Sequence, residues 1–194
     1  MPARKRERKL FVDLGSGPHR GRAFDIAQRR HEAGKKGKIV AVDLLEHHKY
    51  EKPPNLELVQ SGAREYLEGL EPGSVDVINF DLSAGTVESE TGYRRMYNPP
   101  AEETHVMLSK ELGNAMKRAL KRNGRIFINT SRNQAESIRR ELEEQGFRVS
   151  RFPFSSIWHR MQSRAFSTRE IMKYAGRQGF IGNSVQIVAR KGKK

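Results

Sequence analysis

Asp13 stands just ahead of Gly15 and Gly17 in the stretch FVDLGSGPHRGRAF, Phe11 to Phe24. Glycines in such a turn let a backbone pass close to a ligand. A carboxylate in the same turn repels a phosphate and welcomes an amine. The order Gly15-x-Gly17-x-x-x-Gly21 is not dinucleotide spacing, and no Lys-Ser/Thr pair follows as it does in a phosphate loop. A second acid, Asp43, closes the run KIVAVD. A carboxylate at the tip of a second strand can take both hydroxyls of a ribose. Further along, INFDLSAGT offers two polar groups, Asn79 and Asp81. Asp81 could accept a proton or hold an acceptor amine.

Other chemistries find less support. The chain has no cysteine, so it has no disulfide framework, zinc–thiolate site or thiol nucleophile. His47 and His48 follow Asp43, but no further ligands stand at metal spacing, so no metal site is expected. Asn98-Pro99-Pro100 reads as punctuation before a helix.

The elements that must position these residues alternate. KLFVDL reads as a buried strand, followed by a helix from about Gly21 to Ala33 that Gly34 closes. KIVAVDLL and NLELVQ read as the second and third strands, with a short helix around Ala63 to Leu70. VDVINFDL is the fourth strand, and a long polar loop runs from Ser83 to about Pro100. A helix is expected from about Glu102 to Lys121, ended by Asn123-Gly124. RIFINT is a fifth strand, and the next helix, about Gln134 to Gln145, turns Ala135, Ile138 and Leu142 inward before Gly146. FRVSRF and SVQIVARK are the last strands, joined without a full crossover helix. The alternation predicts an α/β fold: a doubly wound, mostly parallel seven-stranded sheet with an antiparallel last strand. In such sheets ligands sit beyond the carboxyl ends of the strands, where the glycine turn lies.

The chain has 194 residues, 36% of them hydrophobic, which suits one domain from residue 9 to 194 behind a basic tail at 1–8. A basic helical insert is expected at about 155–182. The start MPARKRERKL leads straight into a strand with no apolar leader, and no run is long enough to span a membrane. A cytoplasmic protein with no membrane partner is the expectation. The net charge is +14, and it is uneven. Arg148 to Lys194 carries eleven lysines and arginines against one acid, Glu170. Arg4, Lys5, Arg6, Arg8 and Lys9 form a second basic knot. Such asymmetry points to a polyanion, and nucleic acid is the commonest. Around Trp158, Phe166 and Tyr174 stand Arg160, Arg164, Arg169 and Lys173, the mix of cations and aromatics that single-stranded RNA sites use.

VDLGSG and VAVDLL resemble the first and second motifs of the class I S-adenosylmethionine-dependent methyltransferases, and the strand order matches across the chain from Lys9. The resemblance implies a Rossmann-like fold binding S-adenosylmethionine. It implies that Asp13, Gly15, Ser16 and Gly17 line the methionine end, that Asp43 binds the ribose and that Leu44 lies against the adenine. Backbone from Ser61 through Gly62 to Ala63 would meet the adenine edge. Asn79 and Asp81 would face the methyl group as catalytic candidates. Within the superfamily, INTSRNQAESIRRELEEQGF and IVARK resemble the tRNA guanine-N7 methyltransferases, as do Thr168, Lys173 and Tyr174. Arg94, Arg95, Arg160, Arg164, Thr168, Arg169 and Lys173 are the candidate RNA contacts, Thr168 and Lys173 by that likeness and the arginines by their charge. GKIVAVDLL and DLSAGT look like the heat-shock ribose 2′-O RNA methyltransferases, although Asn129 stands where that family has a lysine. A non-catalytic nucleic-acid-binding module of the same fold stays open, as does a small-molecule or protein methyltransferase.

Overall fold

Short β-branched and apolar runs between turns become strands. Those with helices on both sides read apolar at consecutive positions. The computed structural model describes residues 9–16, 22–44, 46, 50–81, 85–88, 94–97, 109–153 and 184–192. Val12, Asp13 and Leu14 of β1 (Leu10–Leu14) are buried, as are Ile39 to Val42 of β2 (Lys38–Asp43). β3 (Leu56–Gln60) and β4 (Val75–Asp81) follow, with α1 (Arg22–Glu32) after β1 and α2 (Ala63–Glu68) after β3. The chain continues through β5 (Gly85–Glu88), β6 (Arg94–Tyr97), α3 (Lys110–Ala119), β7 (Leu120–Ser131), α4 (Arg132–Glu144), β8 (Phe147–Pro153) and β9 (Ser184–Lys191).

Seven strands form one sheet in the order β3-β2-β1-β4-β7-β9-β8. β1 pairs in parallel with β2 and β4, and β2 with β3. β9 runs antiparallel to β7 and β8. This is the doubly wound sheet, with its reversed last strand, that the alternation predicts. The chain folds as two compact units, Met1–Phe80 with Glu111–Arg125, and Asp81–Lys110 with Ile126–Lys194.

In the first unit, Ala23 and Ala27 of α1 pack with Ile39, Ala41 and Leu56. Phe11, Phe24, Ile26 and Leu58 border that cluster. Each large aliphatic chain buried this way contributes about 1.5–3 kcal/mol. The start of β1 is tied to β4 through Asp76, whose carboxylate accepts from the Leu10 N–H at 2.9 Å and from Lys121 Nζ at 3.1 Å. α2 is short; the Leu70 N–H donates to the Leu67 carbonyl at 3.2 Å, and the turn has room for a further donor. Arg118 of α3 supplies one: its Nη2 donates to the carbonyls of Leu67 at 3.3 Å, Glu68 at 2.5 Å and Leu70 at 2.7 Å.

Two sequence expectations change. α3 ends at Ala119, short of Lys121, and residues 101–108 lie outside the described residues. The Arg118 carbonyl accepts from the Gly73 N–H at 2.9 Å, Lys121 is drawn to Asp76, and β7 begins at Leu120, ahead of Asn123-Gly124. The polar loop from Ser83 to Pro100 contains a ribbon, β5 paired antiparallel with β6 from Gly85↔Tyr97 to Glu88↔Arg94. Its strands are too short for alternation to stand out in a sequence window.

In the second unit, α4 lays Ala135, Ile138 and Leu142 inward, and it packs on β8 and β9. The buried Thr130 hydroxyl donates to Gln134 Oε1 at 3.2 Å, tying the end of β7 to the first turn of α4. No helix among the described residues is long and apolar enough to cross a membrane.

Arg118→Ala should lower stability by about 1–3 kcal/mol, the range for a hydrogen-bonded charged group. The urea midpoint reads it; an unchanged midpoint would make the clamp incidental.

Candidate functional site

Parallel pairing brings the carboxyl ends of four strands level. Asp13 lies opposite Ala41 of β2 and Asn79 of β4, and Asp43 lies opposite Gln60 of β3. Gly15 turns the chain at the end of β1 with φ 67°, a left-handed conformation that side chains resist. Its N–H donates to the Val42 carbonyl at 2.9 Å, and the Ser16 N–H reaches the same oxygen at 3.3 Å. The turn therefore leans over the end of β2, beside Asp43. On the other side, the Ser61 N–H donates to the Asp43 carbonyl at 2.9 Å. Gln60 Nε2 donates to the Leu44 carbonyl at 3.2 Å. Asp13, Gly15, Ser16, Asp43, Leu44, Ser61, Gly62 and Ala63 thus share one rim of one unit.

Asp13 and Asn79 are nearly sealed, at 2% and 1% exposure. Neighbours across a parallel ladder project to the same side, and here they bond: Asn79 Nδ2 donates to Asp13 Oδ1 at 2.5 Å. Arg22 Nη1 donates to the other end of the same amide, Asn79 Oδ1, at 3.0 Å. A line of hydrogen bonds so runs from the first residue of α1, through β4, to β1. Sequence reading missed Arg22. The signal was there, since a cation in the first turn of a helix opposes the helix dipole and needs an acceptor nearby. Asn79, expected as a group facing the reaction, has both ends of its amide engaged by Asp13 and Arg22.

Leu44 is 74% exposed, unusual for a leucine at the end of a buried strand. It borders the start of α2: a Cβ placed on Gly62 would lie 3.9 Å from Leu44 Cδ2. Gly62 is the N-cap of α2 and has no side chain to cap it. Ser61 Oγ is turned to the Gly62 carbonyl and to Glu65 Oε2, at 3.2 Å each. An apolar face thus stands beside the open start of a helix, the pairing a flat heterocycle uses for stacking and for its polar edge.

Two groups in the same unit titrate away from their usual range. Burial raises the Asp25 carboxyl, with Arg29 partly offsetting it. Burial, helped by Glu57, pushes the Tyr66 phenol up to about 12.

The remaining sequence candidates are placed in part or not at all. Asp81 ends β4 two residues past Asn79, and only its backbone is described. Arg94 and Arg95 lie on β6, opposite Glu88 and Val87. Gly17, Arg160, Arg164, Thr168, Arg169 and Lys173 lie outside the described residues, as do the basic tail at 1–8 and the insert at about 155–182. Among the described residues, no group of three or more His, Cys, Asp or Glu is placed to hold a metal ion.

No protein-family model and no curated protein matches the chain. Solved structures do. An S-adenosylmethionine-dependent methyltransferase from Archaeoglobus fulgidus is similar at 18% identity and TM-score 0.55, over 95% of this chain and 86% of that one. Phosphoethanolamine N-methyltransferase 2 of Haemonchus contortus, in complex with S-adenosyl-L-methionine, is similar at 15% identity and TM-score 0.52, over 96% of this chain. This chain spans 49% of that protein's length. The 16S rRNA (adenine(1408)-N(1))-methyltransferase of Catenulisporales acidiphilia is similar at 15% identity and TM-score 0.51, over 95% and 88% of the two chains. The fold is that of the class I S-adenosylmethionine-dependent methyltransferases.

Asn79→Leu removes one of the bonds that hold the buried Asp13 carboxylate. It should cost about 1–3 kcal/mol in urea unfolding. Wild-type stability in that variant would show that the Asp13–Asn79 bond carries no weight.

Proposed function

We propose that this chain is an S-adenosylmethionine-dependent methyltransferase and that its acceptor is RNA. The observation that carries the cofactor reading is the rim built from Asp13, Gly15, Asp43 and Leu44 at the level ends of β1 and β2. Its donor set suits the cofactor piece by piece. Asp13 is an anion for the α-ammonium group, direct or through water. Arg22 adds a cation on the same side, suited to the α-carboxylate. Asp43 can accept from two ribose hydroxyls, and the exposed Leu44 offers a surface for a purine. Backbone at Ser61 to Ala63 can meet the purine edge. The left-handed Gly15 keeps a Cβ out of the turn where the backbone would approach the ligand.

When bound, the cofactor supplies a methyl group on a sulfonium, which is already a good leaving group. The protein's work is therefore to orient the acceptor, exclude water and manage a proton. Asp81 is the residue for the proton, two positions beyond Asn79 on the strand that ends at the rim. Asn79 acts as a positioning residue, since it fixes Asp13 and Arg22 relative to each other.

RNA is the acceptor class that the charge favours. From Arg148 onward the chain carries eleven cations against one acid, an excess that a polyanion would balance. The resemblance of the fifth strand and its helix to the tRNA guanine-N7 methyltransferases leans the same way, toward a tRNA or rRNA base.

Calorimetric titration tests the cofactor. The wild type should bind S-adenosylmethionine with micromolar affinity and not NAD. Asp43→Ala should weaken binding at least about a hundredfold, as loss of two charge-assisted hydrogen bonds implies. Undiminished affinity would remove Asp43 from the ribose. Asp81→Ala should slow methyl transfer to RNA about a hundredfold or more while sparing cofactor affinity. A wild-type rate would clear Asp81 of the proton.

A further inference from the structure

A groove of about 820 Å³ opens at the end of the sheet opposite the rim. It lies where α1 gives way to β2 and where the chain enters β3. His31, Lys35, Lys36, Lys38 and Lys52 line it, with Glu57 as the one acid in its wall. Lys38 pairs with Glu57, and both stay about half exposed. Among the described residues, Lys35, Lys36 and Lys52 have no carboxylate partner. All three are exposed to solvent.

The turn that presents these lysines is held firmly. Arg30 Nη2 donates to the Lys36 carbonyl at 2.8 Å, and the Lys35 N–H donates to the Arg30 carbonyl at 2.8 Å. Lys38 N–H donates to the Lys9 carbonyl at 2.8 Å, so β1 and β2 clasp the far side. Gly37 sits at φ 149°, and a Cβ there would press to 3.0 Å on both Arg30 Nη2 and the Lys9 carbonyl. Asn55 fixes the other wall, its Nδ2 donating to the Ala27 carbonyl at 3.1 Å. Four lysines and an arginine are thus gathered on a braced frame, against a single acid that already has a partner. Like charges held this close repel unless an anion joins them.

We infer that this groove binds the phosphodiester backbone of RNA, as a second contact surface remote from the cofactor rim. The inference rests on the RNA reading above and adds a place to it. Discrete lysine ammonium groups suit a flexible phosphate chain, which asks for charge rather than planar geometry. Among the described residues the wall offers no cluster of aromatic rings for stacking, so the contact follows the backbone and not the bases. The six residues of β2 separate groove from rim. At roughly 3.3 Å per residue that is about 17 Å, a distance that several nucleotides span. An acceptor held at both places would run along the outer, β2–β3 side of the sheet. In the sequence, Arg4, Lys5, Arg6 and Arg8 come immediately before Lys9, the residue bonded to Lys38.

The test uses the full chain and a fluorescein-labelled 20-nucleotide polyuridylate, with affinity read by anisotropy from 0.05 to 0.3 M salt. The triple variant Lys35→Ala, Lys36→Ala, Lys52→Ala should bind about tenfold more weakly at 0.1 M salt. Its log–log salt slope should fall by about 2, since each lost phosphate contact removes about 0.7 on single strands. The matching triple change to arginine should keep both affinity and slope, and calorimetric binding of S-adenosylmethionine should be the same in all three proteins. If the alanine variant binds like wild type while Arg160→Glu with Arg164→Glu does not, the groove is refuted and the RNA reading stands. If wild-type protein fails to bind the oligonucleotide, both fall. If the alanine variant instead loses binding only to phosphatidylglycerol vesicles, the groove is a membrane contact and the inference is wrong.

Discussion

A carboxylate buried to 2% exposure inside a sheet needs partners fixed before any ligand arrives, and much of the rim follows from that need. Asp13 sits between two parallel neighbours. One of them, Ala41, is too small to crowd it, and the other, Asn79, offers an amide. An amide can donate at one end and accept at the other. Asn79 does both, and this links the Arg22 guanidinium to the acid through two hydrogen bonds. On the proposed reading, a carboxylate and a guanidinium joined through one amide would meet the two ends of a zwitterion. Such preorganisation spares the ligand the cost of arranging its own surroundings.

The same constraint explains why the rim lies where it does. β1 and β2 must stay in register for the Gly15 and Ser16 N–H groups to reach one carbonyl, that of Val42. β2 and β3 must stay in register for Ser61 to reach Asp43. Parallel strands end together, so polar residues at equivalent ends become neighbours although they are tens of residues apart in the chain. The core beneath, from Ala23 and Ala27 to Leu56, keeps those ends level. Large changes there would be felt at the rim as shifts of register rather than as lost contacts.

Much of this was legible in the sequence because it depends on local pattern. The runs FVDL, KIVAVD and VINFD read as buried strands, and the acid toward the tip of each marks the edge where a ligand is expected. SVQIVARK appears as a strand with the bounds the pattern gave it. The misses share a cause. α3 gives way to a strand at Leu120, and the Gly73 N–H that takes the Arg118 carbonyl is distant in sequence, where no local rule shows it. The β5–β6 ribbon is four residues long on each side, below the length at which period-two alternation speaks. Asn79 was recognised as polar and well placed, but its neighbours lie across ladders and on another helix. Its hydrogen bonds to Asp13 and Arg22 exist only once the sheet has formed. The turn from Lys35 to Lys38 carries no local motif, and only folding sets Lys52 across from it.

The last two strands carry a consequence of their own. Pro153 and Val185 are ladder partners, so residues 154–183 leave the sheet and return to it at adjacent points. The entropy of closing such an excursion rises only with the logarithm of its length, by about 0.6 kcal/mol for each doubling. The sheet therefore sets almost no limit on what is hung there. A change in the length of the chain between Pro153 and Ser184 would therefore cost the pairing of β8 with β9 little.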